Sequence, residues 1–147
     1  MTLYDKAKET SEFIKSKVKN IPNTAVVLGS GLGMFANEIE KEVVLEYKNI
    51  PHFPISTVPG HEGKLIFGKI EGKSIIAMQG RFHLYEGYTA EEVTFPVRVF
   101  QLLGVKNYIV TNASGAVNLS YKPGDLRIIK DHIGLFCESA LFGKNDE

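Results

Sequence analysis

AVVLGSGLG (residues 25–33) joins four apolar residues, two of them β-branched, to three glycines within five positions. A short apolar run stopped by glycines reads as a buried strand entering a tight loop. Two other runs end in the same way. Ser74–Met78 (SIIAM) leads into Gly80, and residues 105–111 (VKNYIVT) lead into Asn112-Ala113-Ser114-Gly115-Ala116. Between and before them lie helical patterns, so the chain is of the α/β class. In open α/β sheets, ligands bind where strand C-termini converge, which brings the ends after Leu28, Met78 and Thr111 into question together.

The flanking segments fill in this outline. Leu3, Ala7, Ile14, Val18 and Ile21 recur at helical spacing over residues 3–21, and Thr2 with Asp5 makes an N-cap signature. Residues 43–47 (VVLEY) form a weaker strand, and residues 49–63, with Pro51, Pro54 and Pro59, form a loop. Residues 64–78 read as a hairpin turning near Glu71-Gly72. Thr89 and Glu92 have capping-box spacing and open a helix. Val93, Val97, Phe100 and Leu103 share its apolar face, Pro96 is expected to kink it, and Gly104 ends it. Pro123-Gly124 is a turn, and Asp125–Lys130 is expected to be a strand.

Bulk properties narrow the function. A chain of 147 residues suits one domain, residues 1–147. Seventeen basic residues balance seventeen acidic ones, which argues against a broad nucleic-acid footprint. The single cysteine, Cys137, permits no intrachain disulfide and no cysteine-based metal cluster. Residues 1–20 are charged throughout and lack the apolar core of a signal peptide, and no apolar run approaches the ~20 residues of a membrane span. The expectation is a cytoplasmic protein.

Gly29-Ser30-Gly31-Leu32-Gly33 lets backbone N–H groups approach an anion. Met34 stands where the dinucleotide fingerprint needs glycine, and the Gly-Lys-Ser/Thr ending of a Walker A loop is missing. On glycine content alone the loop reads equally as a tight turn. Gly80–Tyr88 (GRFHLYEGY) is denser in chemistry. Alternate residues of an extended segment point one way, so Arg81, His83 and Tyr85 share a face. An arginine fork matches phosphate oxygens, His83 donates one hydrogen bond while Glu86 or a carbonyl holds its other nitrogen, and Tyr85 offers a hydroxyl to a sugar. A solvated loop is the bland alternative. His61, flanked by glycine, reads equally as a loop residue near a ligand or as an exposed turn. His52 and His132 are read as structural, and no histidines stand at metal-ligand spacing. Ser114 lacks a nucleophile elbow and a histidine–acid pair, so hydrolase chemistry is set aside.

In order along the chain, Leu28–Gly33, Val58-Pro-Gly-His61, Met78–Tyr88, Thr111–Gly115 and Asp131-His132-Ile133 resemble the purine nucleoside phosphorylase family, in its trimeric branch that prefers 6-oxopurines. The resemblance runs from about Ala25 to the C-terminus. It implies a mixed twisted β-sheet flanked by helices, and homotrimeric assembly. It also implies reversible phosphorolysis of purine (deoxy)nucleosides to free base and pentose 1-phosphate. Inorganic phosphate would be the co-substrate, with no metal or organic cofactor. Ser30, His61, Arg81, His83 and the backbone of Ala113 would bind phosphate, Tyr85 would touch the pentose, and His83 and Glu86 would be the catalytic side chains. Ser114 and Ala116 depart from the family's usual Asn-Ala-Ala-Gly-Gly loop.

Family members are about twice this length, and their purine-recognising residues lie beyond Glu147. The sequence is therefore expected to carry the phosphate half of the site, as the N-terminal half of the family fold. On its own it is expected to turn over poorly and to self-associate. The other readings are a non-catalytic phosphate- or nucleotide-binding module and a methylthioadenosine phosphorylase relative.

Overall fold

The computed structural model describes residues 1–55, 62–135 and 137–142. Helix α1 (Leu3–Lys17) opens on a full capping box, in which Thr2 Oγ1 accepts from the Asp5 N–H while the Asp5 carboxylate accepts from the Thr2 N–H. It is shorter than its apolar spacing predicts. Val18 turns extended and caps the helix while its own side chain stays in the core, so the periodicity outlasts the helix. The buried stripe also includes two polar residues, Thr10 and Ser11. Each satisfies its hydroxyl on a carbonyl one turn back, and Thr10 also lies 2.8 Å from the Pro51 carbonyl.

Five strands form one sheet: β1 (Thr24–Leu28), β2 (Glu40–Glu46), β3 (Lys64–Ile70), β4 (Lys73–Gln79) and β5 (Asn107–Val110). Their order is β2-β3-β4-β1-β5. The β2-β3-β4 portion is an antiparallel meander, whose hairpin turns at Glu71-Gly72 with both residues at positive φ, as such tight turns require. β1 runs parallel to both β4 and β5. That mixed arrangement agrees with the expected α/β sheet flanked by helices.

Alternation along the strands separates two cores. Ala25 and Val27 of β1, Leu65 and Phe67 of β3, and Ile76 and Met78 of β4 face the layer made by α1 and by helix α2 (Ala90–Leu103). Leu28, Ile66, Ile75 and Ala77 face the other way, against Ala36 and Ile39 beside the short 3₁₀ turn Gly33–Asn37. α2 starts at the expected capping box, Thr89 with Glu92, and stops at Gly104, φ 86°. It passes through Pro96 without a break in the helical run. The sequence-predicted apolar face is corrected in part. Val97 is 44% exposed, and the buried residues are Phe95, Pro96, Val99, Phe100 and Leu103. The helix is apolar on more than one side, so spacing alone did not fix which side packs.

The expected strand at Asp125–Lys130 does not form. Residues 112–135 and 137–142 carry no helix or strand, and their side chains are almost all exposed, Ile128 fully so. A strand exists only through a ladder, and no described segment pairs with this one. Among the described residues, no helix is long and apolar enough to cross a membrane.

Candidate active site

Parallel pairing brings the C-terminal ends of β1, β4 and β5 to one edge. Leu28 registers with Gln79, and Val27 with Val110, so Gly29, Gly80 and Thr111 each stand just past a strand end within one register step of each other. The β1 loop closes as a turn, with the Leu32 N–H donating to the Gly29 carbonyl and Gly31 at φ 84°. Ser30 is exposed at its tip.

From the end of β4 the chain delivers Arg81, His83, Tyr85 and Glu86. Gly80, at φ 113°, sets the exit, and the buried Tyr47 hydroxyl holds its carbonyl at 2.8 Å. Burial pushes the Tyr47 hydroxyl well above the usual tyrosine range, so it stays a protonated donor. Phe82 points inward between Arg81 and His83. It packs against Tyr47, Phe53 and Tyr88 with ring centroids 5.2, 6.2 and 6.1 Å away. The alternation expected of an extended segment is thus realised, with Phe82 in the core and its neighbours half-buried at the sheet edge.

Those neighbours form one polar cluster. Arg81 Nε–H donates to His83 Nε2 at 3.0 Å, and Arg81 Nη1 donates to the Thr111 carbonyl at 2.9 Å. His83 Nδ1 lies 2.7 Å from Glu86 Oε1, and the same oxygen accepts from the His83 backbone N–H at 3.0 Å. The Glu86 side chain is only 3% exposed, a carboxylate satisfied by these donors inside the turn Leu84–Glu86. The Tyr85 ring stacks on His83, with centroids 4.6 Å apart and planes 17° apart, and Tyr85 remains 75% exposed.

The structure therefore brings Arg81, Tyr85 and Glu86 together around His83. Ser30 and Ala113 lie one and two residues along the chain from Gly29 and Thr111, on the exposed side of the same junction. His61 lies outside the described residues. Ser114 is exposed and His132 lies in the exposed C-terminal stretch. His52 pairs with Glu9 at 2.8 Å, on α1 and away from this edge. Among the described residues, no group of three or more His, Cys, Asp or Glu side chains is placed to hold a metal ion.

Sequence reasoning placed Gly29 and Thr111 at strand ends without seeing that they lock together. Thr111 Oγ1 donates to the Val27 carbonyl and accepts from the Gly29 N–H, both at 2.8 Å. Gly29 is required for room, because a Cβ there would lie 2.4 Å from the Thr111 carbonyl oxygen. A hydroxyl residue closing an apolar strand, opposite a glycine closing another, was the available signal.

Cation, imidazole and carboxylate cluster at the carboxyl ends of parallel strands, where open α/β sheets bind their ligands. Residues 23–147 match the family model of the phosphorylase superfamily. Purine nucleoside phosphorylase 1 of Bacillus subtilis is 53% identical over 142 residues, an alignment spanning 97% of this chain and 52% of that protein. The purine nucleoside phosphorylase of Rattus norvegicus is 48% identical over 147 residues, spanning 98% and 51%. A crystal structure of isoform 2 of purine nucleoside phosphorylase from Schistosoma mansoni, in complex with cytosine and ribose-1-phosphate, superposes with a TM-score of 0.76 at 44% identity. It covers 83% of this chain and 43% of that one. The chain belongs to the phosphorylase superfamily and, within it, to the purine nucleoside phosphorylase family. It spans about half the length of the curated relatives it matches.

Proposed function

We propose that the whole protein is a purine nucleoside phosphorylase, a pentosyltransferase that reversibly converts a purine (deoxy)nucleoside and phosphate into free base and pentose 1-phosphate. Residues 1–147 are then a single partial domain that carries the phosphate half of the site. The observation that carries this reading is the Arg81–His83–Glu86 cluster anchored to Thr111 where β1, β4 and β5 end. Relatives solved with ribose-1-phosphate and with hypoxanthine support it.

Each residue has a role that its chemistry fits. Arg81 donates to the phosphate oxygens, and His83 Nε2, an acceptor beside Arg81, takes a hydrogen bond from the protonated oxygen of the hydrogen phosphate dianion. Ser30, the Ala113 backbone N–H and His61 join them. Glu86 keeps His83 oriented through its Nδ1 side. Tyr85, exposed beside His83, meets the pentose. Cleavage moves the electron pair of the glycosidic bond onto the departing base and leaves positive charge on the sugar ring. A phosphate dianion fixed against the anomeric carbon stabilises that charge, and one of its oxygens then bonds to the carbon. Positioning and preorganised charge supply the rate, with no covalent enzyme intermediate and no cofactor beyond phosphate. The protein works in the cytoplasm as a homotrimer, with nucleoside and phosphate as its ligands rather than nucleic acid or membrane.

The test is phosphate-dependent release of hypoxanthine from inosine, with Arg81→Ala as control, alongside calorimetric titration of inorganic phosphate. Because this chain spans half of its relatives' length, we expect phosphate binding that Arg81→Ala abolishes, with little base release by residues 1–147 alone. Phosphate binding together with robust release would overturn the expected low turnover and keep the phosphorylase reading. A folded chain that binds no phosphate overturns the site assignment.

A further inference from the structure

We infer that Thr111 is the positioning residue of the anion site: its side chain locks together the ends of β1 and β5 and thereby fixes the carbonyl that aims Arg81. This rests on the phosphate-binding reading of Arg81. The β1–β5 ladder ends at the register pair Val27–Val110. One step further, parallel strands are free to splay into their separate loops. Thr111 prevents this with its side chain. The hydroxyl uses both its capacities, donating to the Val27 carbonyl and accepting from the Gly29 N–H at 2.8 Å each, and the Thr111 N–H adds a 3.2 Å bond to the same Val27 carbonyl. The hydroxyl thus extends the ladder to Gly29, one rung past the last backbone bond.

The consequence falls on Arg81. Its Nη1 donates to the Thr111 carbonyl at 2.9 Å, in the space left by the missing side chain of Gly29. With Nε–H on His83, the guanidinium is gripped at two corners from two different loops. A long flexible side chain is then held in one plane before any ligand arrives, which is the preorganisation that anion binding rewards. β-Branching restricts the Thr111 χ1 angle and helps keep the hydroxyl on its two partners.

The 147-residue chain allows a direct test with wild type, Thr111→Val and Thr111→Ser. Inorganic phosphate is titrated calorimetrically, and the Arg81 Nε–H resonance is followed by nitrogen-resolved NMR. Valine keeps the shape and removes the hydroxyl. We expect it to weaken phosphate binding about tenfold, as loss of a pair of hydrogen bonds implies, and to shift or broaden the Arg81 signal. Serine restores the hydroxyl, and we expect affinity within about threefold of wild type. Wild-type affinity in Thr111→Val, or equal loss in both variants, overturns the positioning role and leaves the phosphate reading standing. A wild type that binds no phosphate overturns that reading, and this inference with it. Should Thr111→Val fail to fold, Gly29→Ala displaces the same carbonyl from the opposite side, and undiminished phosphate affinity there also overturns the role.

Discussion

Arg81 Nε–H donates to His83 Nε2 across 3.0 Å, and this one contact determines which form of the histidine is present. Arginine remains charged and has no acceptor, so the imidazole nitrogen facing it must offer a lone pair. The ring proton therefore sits on Nδ1, where Glu86 Oε1 receives it at 2.7 Å. Long-range proton–nitrogen NMR of the ligand-free chain should show His83 as the neutral Nδ1–H form. Glu86→Gln removes the charge that favours this form, and we expect phosphate affinity to fall about tenfold. A His83 spectrum showing the proton on Nε2 would contradict the arrangement.

Gly29→Ala tests the tight meeting of the β1 and β5 ends. The added methyl would sit 2.4 Å from the Thr111 carbonyl oxygen and 3.1 Å from Arg81 Nη1, and the first of these neighbours is backbone. We expect a loss of about 2 kcal/mol in urea unfolding, the range for overpacking a closed site. An alanine variant as stable as wild type would show that the two strand ends separate easily.

Tyr47 links the aromatic core to the loop that carries Arg81. Tyr47→Phe leaves the buried Gly80 carbonyl without its hydroxyl donor, and we expect a cost of about 1–2 kcal/mol at neutral pH. The alkaline limb carries a second signature. Burial raises the Tyr47 hydroxyl well above its usual value. Unfolded tyrosine ionises near pH 10. Its contribution to stability is therefore complete below about pH 10 and is lost as pH climbs through the folded value. Tyr47→Phe should flatten that fall, and parallel stability–pH curves for the two chains would refute the assignment.

β5 is the outermost strand beside β1, and all four of its residues are exposed, Ile109 by 51% and Val110 by 59%. An open apolar edge is a template for pairing with another chain. Sedimentation velocity on residues 1–147 should show association that grows with concentration, and Ile109→Lys should reduce it. A concentration-independent monomer would count against this.

Much of this was legible because the local chemistry was one-sided. β1, β3 and β4 stood out as apolar runs ended by turn residues, and both capping boxes were spelled by Thr2 with Asp5 and Thr89 with Glu92. β2 was read as starting too late, since Glu40 and Lys41 pair with Lys69 and Gly68 through the backbone, before a bulge at Glu42, while their side chains stay in water. Asp125–Lys130 has strand composition, yet pairing depends on a neighbour that no local pattern reveals. Arg81, His83 and Glu86 were visible as a dense polar block. Thr111 was not, because its role depends on Val27 and Gly29, which are distant in sequence and adjacent only once the parallel strands are in register.

The place of β1 in the sheet also bears on the order in which the chain can assemble. The β3–β4 hairpin closes over neighbouring residues, as Ile70 with Lys73, so it can form early. β1 pairs through Ala25 with Ile76 and with Tyr108, so it is flanked on both sides only after β5, more than 80 residues further along, has emerged. Such non-local parallel pairing is slow, and synthesis at the ribosome would leave the apolar Ala25–Leu28 run waiting for its partners. The Arg81–Thr111 contact, built on the junction of those same strands, therefore forms later than the β3–β4 hairpin.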